Sequence, residues 1–281
     1  MVLINGQFIP EEQAVVSVRD RSFLYGDGLF ETIPVFDGKP FRWAQHLERL
    51  TRGAEFLKIR LAFSPRELRA LAGQLIEKNQ APDAVIRLTL SRGPGERGYS
   101  PAGADSPFIV MSTHSMPRVD PLNPPHWRLK TSSYRLPASD PLSSFKTNNK
   151  ILNVLARAEA EAVDADDALL LNSLGEVVEA SSANLFWIYH DTVFTPPTGR
   201  GALPGITRAV VLELCQTLNL PTNKRVIKPE SLLGSEGVFL TLSSLGIVPV
   251  DMIDGEPMPS SPLVDQILAA YHDAIRRETG P

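Results

Sequence analysis

Apolar and polar residues along this chain fall into short runs of two periods, one of about two residues and one of about 3.6, and the runs succeed one another without an internal repeat. In "MVLINGQFIP" two apolar runs flank Asn5-Gly6, and in "LFETIPVFDGKPF" two more flank Asp37-Gly38. Both dipeptides suit the left-handed turn of a two-residue hairpin, so each stretch predicts a pair of antiparallel strands. Ala44, Leu47, Leu50, Ala54 and Leu57 recur at helical spacing in "RWAQHLERLTRGAEFLKI", and "SPRELRALAGQLIEKN" carries the same pattern behind a Ser64-Pro65 start. "AVIRLTLSRG" sets Ile86, Leu88 and Leu90 against Arg87, Thr89 and Ser91, a half-buried strand, and "SPFIVMSTH" reads as another.

Four prolines between Met116 and Trp127 suit no regular element. The pattern therefore predicts a small domain over residues 1–117, a proline-rich linker over 118–127 and a larger domain over 128–281. In the second part "DALLLNSLGEVVE", "ANLFWIYHDTVFTPP" and "GVFLTLSSLGIVPV" read as strands, with helices near 148–163, 206–218 and 262–277. Along the first of these helices Ile151, Val154, Leu155, Ala158 and Ala162 form one apolar stripe, while Lys150, Arg157, Glu161 and Asp164 face away. The fold class expected is α+β with largely antiparallel sheets.

Composition narrows the setting more than the chemistry. A chain of 281 residues with 43% hydrophobic and 21% charged residues can bury a sizeable core and is not disordered. A net charge of −4 without a basic run argues against nucleic acid as a partner. No tract approaches a membrane span and the N-terminus lacks the basic and apolar regions of a signal peptide, so a cytoplasmic location is expected. Cys215 stands alone on a helical stretch, which points to a core residue and to neither a disulfide nor a metal site.

The candidate chemistry centres on Lys146, on a polar turn before the helix near 148–163. A solvated lysine is the simplest account of such a residue, although a cation at a helix N-terminus is unfavourable by roughly 0.3 to 1 kcal/mol. "SSFK" also matches a Ser-x-x-K hydrolase with Ser143 as nucleophile, but that class needs Ser-Asp-Asn-like and Lys-Thr-Gly companions, and neither tripeptide occurs. Three further pieces could bind an anion. Gly205 precedes a helix whose first amides, at Ile206 and Thr207, could receive one, with the Thr207 hydroxyl as an added donor. Arg49 lies on a helix in "HLERL", and Ser243-Ser244-Leu245-Gly246 closes a strand. Each alone reads as a cap, a surface charge and a turn.

Taken in order, "RDRSFLYGDGLFET", "HLERL", "FKTNNKILNVLARAEA", "VVEASSANLFW", "LPGITR" and "LSSLGIVPV" make the chain resemble the pyridoxal-phosphate enzymes of fold type IV, the class IV aminotransferases. These include branched-chain and D-amino-acid aminotransferases and 4-amino-4-deoxychorismate lyase. The resemblance implies a two-domain fold, a smaller α/β sandwich and a larger pseudo-barrel, with pyridoxal 5'-phosphate in the cleft between them. It implies that Lys146 bonds covalently to the cofactor and later moves the substrate's α-proton as a general base. It implies that Glu179 keeps the pyridine nitrogen protonated, so that the ring withdraws electrons. Arg49, the Ile206 amide, Thr207 and Ser243 are implied to hold the phosphate, and Leu203 to pack on a ring face.

For the substrate, the loop "SRGPGERGYSPAG" resembles the family's substrate loop, which makes Arg97 the candidate carboxylate partner with Tyr99 beside it. Tyr25, Phe30 and Ser244 are implied to line the pocket. D-amino-acid aminotransferases tend to carry histidine at the position of Tyr99, and many relatives a basic residue at that of Pro34. The "RGY" element and the "NLFW" ending look more like the lyase, which removes pyruvate from 4-amino-4-deoxychorismate to give the folate precursor 4-aminobenzoate. The alternatives are transamination of a branched-chain or D-amino acid, and a non-catalytic ligand-binding relative, against which Lys146 and Glu179 both speak. A two-fold homodimer is the assembly the resemblance implies.

Overall fold

Asn5 and Gly6 take φ of 46° and 86°, and Asp37 and Gly38 take 48° and 74°, so both dipeptides form the tight turns their chemistry favours. In the computed structural model, which describes every residue except Arg118, Pro121, Leu122 and Pro281, they close the hairpins β1 (Val2–Ile4) with β2 (Gln7–Ile9) and β3 (Gly28–Phe36) with β4 (Lys39–Pro40). The chain divides into two compact units, the first made of Met1–Pro117, Phe145–Asn149 and Ile275–Pro281, the second of Arg118–Ser144 and Lys150–Ala274. Arg118, Pro121 and Leu122 of the proline-rich segment lie outside the described residues.

The first unit is a six-stranded antiparallel sheet in the order β2-β1-β6-β5-β3-β4, with β5 at Ala84–Ser91 and β6 at Phe108–Ser115. A short helix, α1 (Arg21–Tyr25), is capped by Asp20, whose carboxylate accepts from the amides of Ser22 and Phe23. Two longer helices, α2 (Trp43–Leu57) and α3 (Pro65–Lys78), pack on the sheet. Ser64 and Glu67 form a reciprocal capping box at the start of α3, with Pro65 at its first position. Leu29, Ile33 and Val35 of β3 and Ile86, Leu88 and Leu90 of β5 join Leu47, Leu50 and Ala54 of α2 in the core. Strand alternation turns Phe30 and Arg87 to the opposite face.

Two segments beyond the predicted boundary belong to this unit. The Phe30 amide donates to the Lys146 carbonyl at 2.9 Å and the Asn148 amide to the Gly28 carbonyl at 3.0 Å, so Phe145–Asn149 runs alongside β3. The Arg42 amide donates to Glu278 Oε1 at 2.8 Å, which ties in the C-terminal residues.

The second unit contains β7 (Trp127–Leu136), β8 (Asp167–Asn172), β9 (Val177–Ala180), β10 (Asn184–Tyr189), β11 (Thr192–Thr195), β12 (Thr222–Lys224), β13 (Gly237–Leu242), β14 (Gly246–Ile253) and β15 (Glu256–Pro257). Their order is β12-β11-β10-β13-β14-β7-β8-β9, with β15 on β14. A pairing of Asn184 with Glu179 brings β9 back to β10 and closes six of the strands into a barrel. The sheet is mixed, because β7 runs parallel to both β14 and β8, and β11 parallel to β12. Leu169, Leu171, Leu185, Trp187, Leu240 and Val248 fill one core of this unit.

Four further α-helices are α4 (Ile151–Glu161), α5 (Ile206–Thr217), α6 (Pro229–Leu232) and α7 (Pro262–Thr279). Cys215 on α5 is fully buried, and burial pushes its thiol up to about 11. On α4 the buried positions are Ala156 and Ala160, packed with Ala168 and Leu170. The predicted apolar stripe faces outward instead, with Ile151 60% and Val154 59% exposed and Leu155 also exposed. Small residues on the inner side let α4 approach β7 and β8 closely, and the branched side chains are left on the other side.

Candidate active site

The residues implied by the resemblance fall into two groups, one in each unit. In the first, the pairing of Phe145–Asn149 with β3 fixes the backbone of Lys146 beside Phe30. The Lys146 ammonium lies 4.5 Å from the centre of the Phe30 ring and the Arg87 guanidinium 3.5 Å from it. Arg87 is a residue the sequence reading did not single out; alternation places it on the Phe30 face of the sheet. Beyond the ring, it makes a long hydrogen bond of 3.4 Å to Thr89 Oγ1, and no carboxylate lies within ion-pair distance among the described residues. Burial lowers its pKa, against a weaker pull from Glu31 in the other direction. A partly desolvated cation without a carboxylate is able to receive an anion.

On the opposite face of β3, Glu31 stands among core residues, fully buried. It accepts from Arg49 Nε at 2.8 Å and Arg49 Nη2 at 2.7 Å, and His46 Nδ1 lies 2.6 Å from its Oε2. Burial by itself would raise this carboxyl, but the Arg49 guanidinium, aided by His46, overcomes it and holds the pKa down to about 2. Burial holds His46 below its usual range, so at neutral pH the ring is uncharged and donates to the carboxylate. Arg49, which taken alone reads as a surface charge, is 8% exposed. The acid on an apolar-facing position of β3 was the available signal for this cluster.

Arg97 and Tyr99 lie elsewhere in the unit, on the loop after β5. The buried Arg21 guanidinium donates to the carbonyls of Gly98 at 3.0 Å, Ser100 at 3.0 Å and Tyr99 at 3.1 Å, and also pairs with Asp27. Tyr25 Oη accepts from the Gly98 amide at 3.0 Å and its ring meets that of Tyr99 edge-on. The loop backbone is thus fixed while its side chains point outward: Tyr99 is 88% exposed, and Arg97 is exposed without a hydrogen bond or ion pair to a described residue. The structure groups Tyr25 with this loop and joins Phe30 to Lys146.

In the second unit Glu179 is half-buried on β9 and not a free strand carboxylate. Its Oε2 accepts from Asn184 Nδ2 at 2.9 Å and from the Leu203 amide at 3.0 Å, while Asn184 Nδ2 also donates to the Leu203 carbonyl at 2.8 Å. The segment after Leu203 ends at Gly205, which begins α5 without a side-chain cap, so the amides of Ile206 and Thr207 have no capping acceptor. A Cβ at Gly205 would stand 1.9 Å from Asn184 Oδ1, so a larger residue here would displace the Asn184 side chain that holds Glu179. Ser243 and Ser244 form the turn between β13 and β14, closed by Gly246 at φ 73°. Next to them the Thr241 hydroxyl is buried with no hydrogen-bond partner among the described residues.

These residues fit pyridoxal phosphate. A lysine amine beside an aromatic ring suits its aldehyde, a carboxylate fixed by two donors suits a protonated ring nitrogen, and an uncapped helix start with an orphaned hydroxyl in the same unit suits a phosphate.

Comparison with known proteins bears on the same point. The D-alanine aminotransferase of Staphylococcus aureus (strain MSSA476) is 32% identical over 92% of this chain and 90% of its own length. The crystal structure of 4-amino-4-deoxychorismate lyase from Pseudomonas aeruginosa superposes with a TM-score of 0.86 at 30% identity, covering 100% of both chains. A branched-chain amino acid aminotransferase from T.th., solved with pyridoxamine 5'-phosphate, gives a TM-score of 0.91 at 27% identity over 99% of this chain and 94% of that one. The family model for amino-transferase class IV matches residues 28–253, and with these likenesses along nearly its whole length the chain belongs to that family of pyridoxal-phosphate enzymes.

Proposed function

We propose that this enzyme acts on a carboxylate-bearing primary amine, and that its reaction is the removal of pyruvate from 4-amino-4-deoxychorismate to give 4-aminobenzoate. The observation that carries the substrate class is Arg87, a partly buried guanidinium against the same ring as Lys146 and without a carboxylate of its own. A carboxylate of the substrate would meet Arg87, and the likeness of the loop after β5 to the family's substrate loop makes Arg97, exposed on that loop, the candidate for a second carboxylate. The "RGY" element of that loop and the "NLFW" run of β10 support the lyase over its relatives.

Bound pyridoxal phosphate supplies the electron sink for this chemistry. Lys146 takes the proton from the carbon that carries the substrate amine and returns one to the departing pyruvate. Glu179, held by Asn184 and the Leu203 amide, would be the carboxylate partner of the ring nitrogen. In the first unit Arg49 would be a phosphate ligand, with Phe30, Tyr25 and Tyr99 as candidate substrate residues; in the second the first amides of α5, Thr207 and Ser243 would be phosphate ligands, with Leu203 for the ring and Ser244 for the substrate.

Transamination of a branched-chain or D-amino acid is the second reading, favoured by the names of the sequence relatives. Both reactions begin with the same proton abstraction, so the assay must read products. The enzyme is given 4-amino-4-deoxychorismate and, in parallel, D-alanine or L-leucine with 2-oxoglutarate. 4-Aminobenzoate and pyruvate at enzymatic rates support the lyase; their absence with a keto acid from one amino acid replaces it with the second reading.

The assembly proposed is a homodimer. The exposed stripe Ile151, Val154 and Leu155 on α4 is an apolar surface that a second copy covers.

A further inference from the structure

The end of α2 and the far end of the loop after β5 enclose a cavity of about 330 Å³ within the first unit. Three of the residues that line it are cations, Lys58, Arg60 and Arg92, and one is an acid, Asp105. Lys58 takes the left-handed conformation that ends α2, and Ile59 after it is buried in the core, so the backbone here is anchored while the side chains of Lys58 and Arg60 are exposed. Neither side chain makes a hydrogen bond or an ion pair to a described residue, and nor does that of Asp105. Arg92 is 9% exposed. Its Nε and Nη2 meet the two oxygens of Asp27 at 2.8 and 3.0 Å, Nη2 also donates to the Leu57 carbonyl at 2.8 Å, and Nη1 donates to the Lys58 carbonyl at 3.2 Å. One hydrogen on Nη1 is left without an acceptor among the described residues. Asp27 accepts from Arg21 Nε as well, at 2.8 Å, so one carboxylate serves two buried guanidinium groups. Asp20, beside Arg21 in the chain, is taken up by the amides of Ser22 and Phe23 and by the Ser91 hydroxyl.

We propose that this cavity is a binding site for an oxyanion of the phosphate class, inorganic phosphate or the phosphate group of a small monoester, received by Lys58, Arg60 and the spare Nη1 hydrogen of Arg92. Three cations against one acid favour a doubly charged ligand over a single carboxylate, because each oxygen then finds its own charged donor. A volume at the small end of ligand cavities admits the oxyanion with a short organic body. The anion also offsets the charge left over where Arg21 and Arg92 share one carboxylate. Once bound, it joins the end of α2 to the loop that carries Arg97 and Tyr99, and so steadies that loop at its far end.

The test uses the holoenzyme, in which the cofactor's own phosphate fills its site. Inorganic phosphate and glycerol 3-phosphate are titrated calorimetrically at constant ionic strength, with sodium chloride as the reference for plain screening. The expected result is saturable binding of one anion per chain. Lys58→Gln with Arg60→Gln changes two exposed side chains and leaves Arg92 and its buried partners intact; it should weaken binding by roughly tenfold or more. Asp105→Asn removes the acid from the cavity and should tighten binding by about threefold. Tighter binding of glycerol 3-phosphate assigns the site to a phosphate monoester, and equal or weaker binding assigns it to free phosphate; either order supports the site. Amide hydrogen exchange read in parallel should slow at residues 58–60 and 103–107 when phosphate is added. Absence of saturable binding by both ligands overturns the proposal, as does an affinity unchanged in the double variant. Loss of binding in Arg87→Gln with the double variant unaffected would put the anion at the candidate substrate residue and overturn it too.

Discussion

Asn184 Nδ2 donates to Glu179 Oε2 at 2.9 Å, and the same two residues face each other in the strand register that closes the barrel. Barrel closure and the placement of the carboxylate are therefore one event. The second amide hydrogen of Asn184 holds the Leu203 carbonyl, so the strand that carries Glu179 and the segment leading into α5 are aligned by a single side chain.

Glu179→Gln keeps the shape and removes the charge. We expect turnover to fall by about 100-fold or more with a much smaller loss of cofactor affinity, since charge at the ring nitrogen acts on reactivity more than on binding. Wild-type turnover in this variant would remove the electron-sink role. Asn184→Ala removes two hydrogen bonds, one to Glu179 Oε2 and one to the Leu203 carbonyl, and is expected to lower stability by about 1 to 3 kcal/mol, read from urea unfolding.

Gly205→Ala places a Cβ against Asn184 Oδ1, which costs about 1 to 3 kcal/mol by overpacking. The double variant Asn184→Ala with Gly205→Ala removes the obstacle. Its unfolding midpoint should lie above the sum of the two single effects. Additive losses would show that another contact excludes the methyl group.

Lys146 is expected to carry the cofactor. Borohydride treatment of the yellow holoenzyme followed by peptide mapping should place the label on Lys146, and Lys146→Ala should lower turnover by roughly 100- to 10,000-fold. A label on Lys130 or Lys150 would refute the assignment.

Stability should fall in acid in two stages, each with the sign set by a lowered folded pKa. His46 is held below 6.5 in the folded chain, so the unfolded chain takes up its proton first and stability declines as pH drops below about 6.5. Glu31 is lowered from 4.5 to about 2, so its contribution, on the order of 3 kcal/mol, is present above pH 4.5 and lost between there and about 2. Urea midpoints measured across this range should show both declines, and Glu31→Gln should make the lower one shallower, leaving the share of Asp27 and Asp254, whose carboxyls are also held low.

The outer face of α4 should lie in an interface between two copies. Ile151→Asp together with Val154→Asp puts charge on the exposed stripe and should shift sedimentation from dimer to monomer at micromolar concentration. A wild-type chain that sediments as a monomer while active would rule the assembly out.

Much of the local structure was legible in the sequence because it is decided within a few residues. The Asn5-Gly6 and Asp37-Gly38 turns, the Ser64–Glu67 capping box, the alternation of β5 and the helix after Gly205 each follow from backbone preference or from spacing of apolar residues. The order of motifs likewise announced the family. What the sequence did not decide depends on residues far apart in the chain. β7 escaped notice because its run of Arg128, Lys130, Thr131, Ser132, Ser133 and Arg135 has no apolar alternation; it is a strand because β14 and β8 supply hydrogen-bond partners on both sides. The outward stripe of α4 was visible as a stripe, but which side faces the barrel was set by how closely Ala156 and Ala160 allow the helix to approach. Arg49, Glu31 and His46 are three ordinary polar residues until α2 lies over β3; then burial strips their water and each must bond to another, because an unpaired charge in that core is too costly to keep.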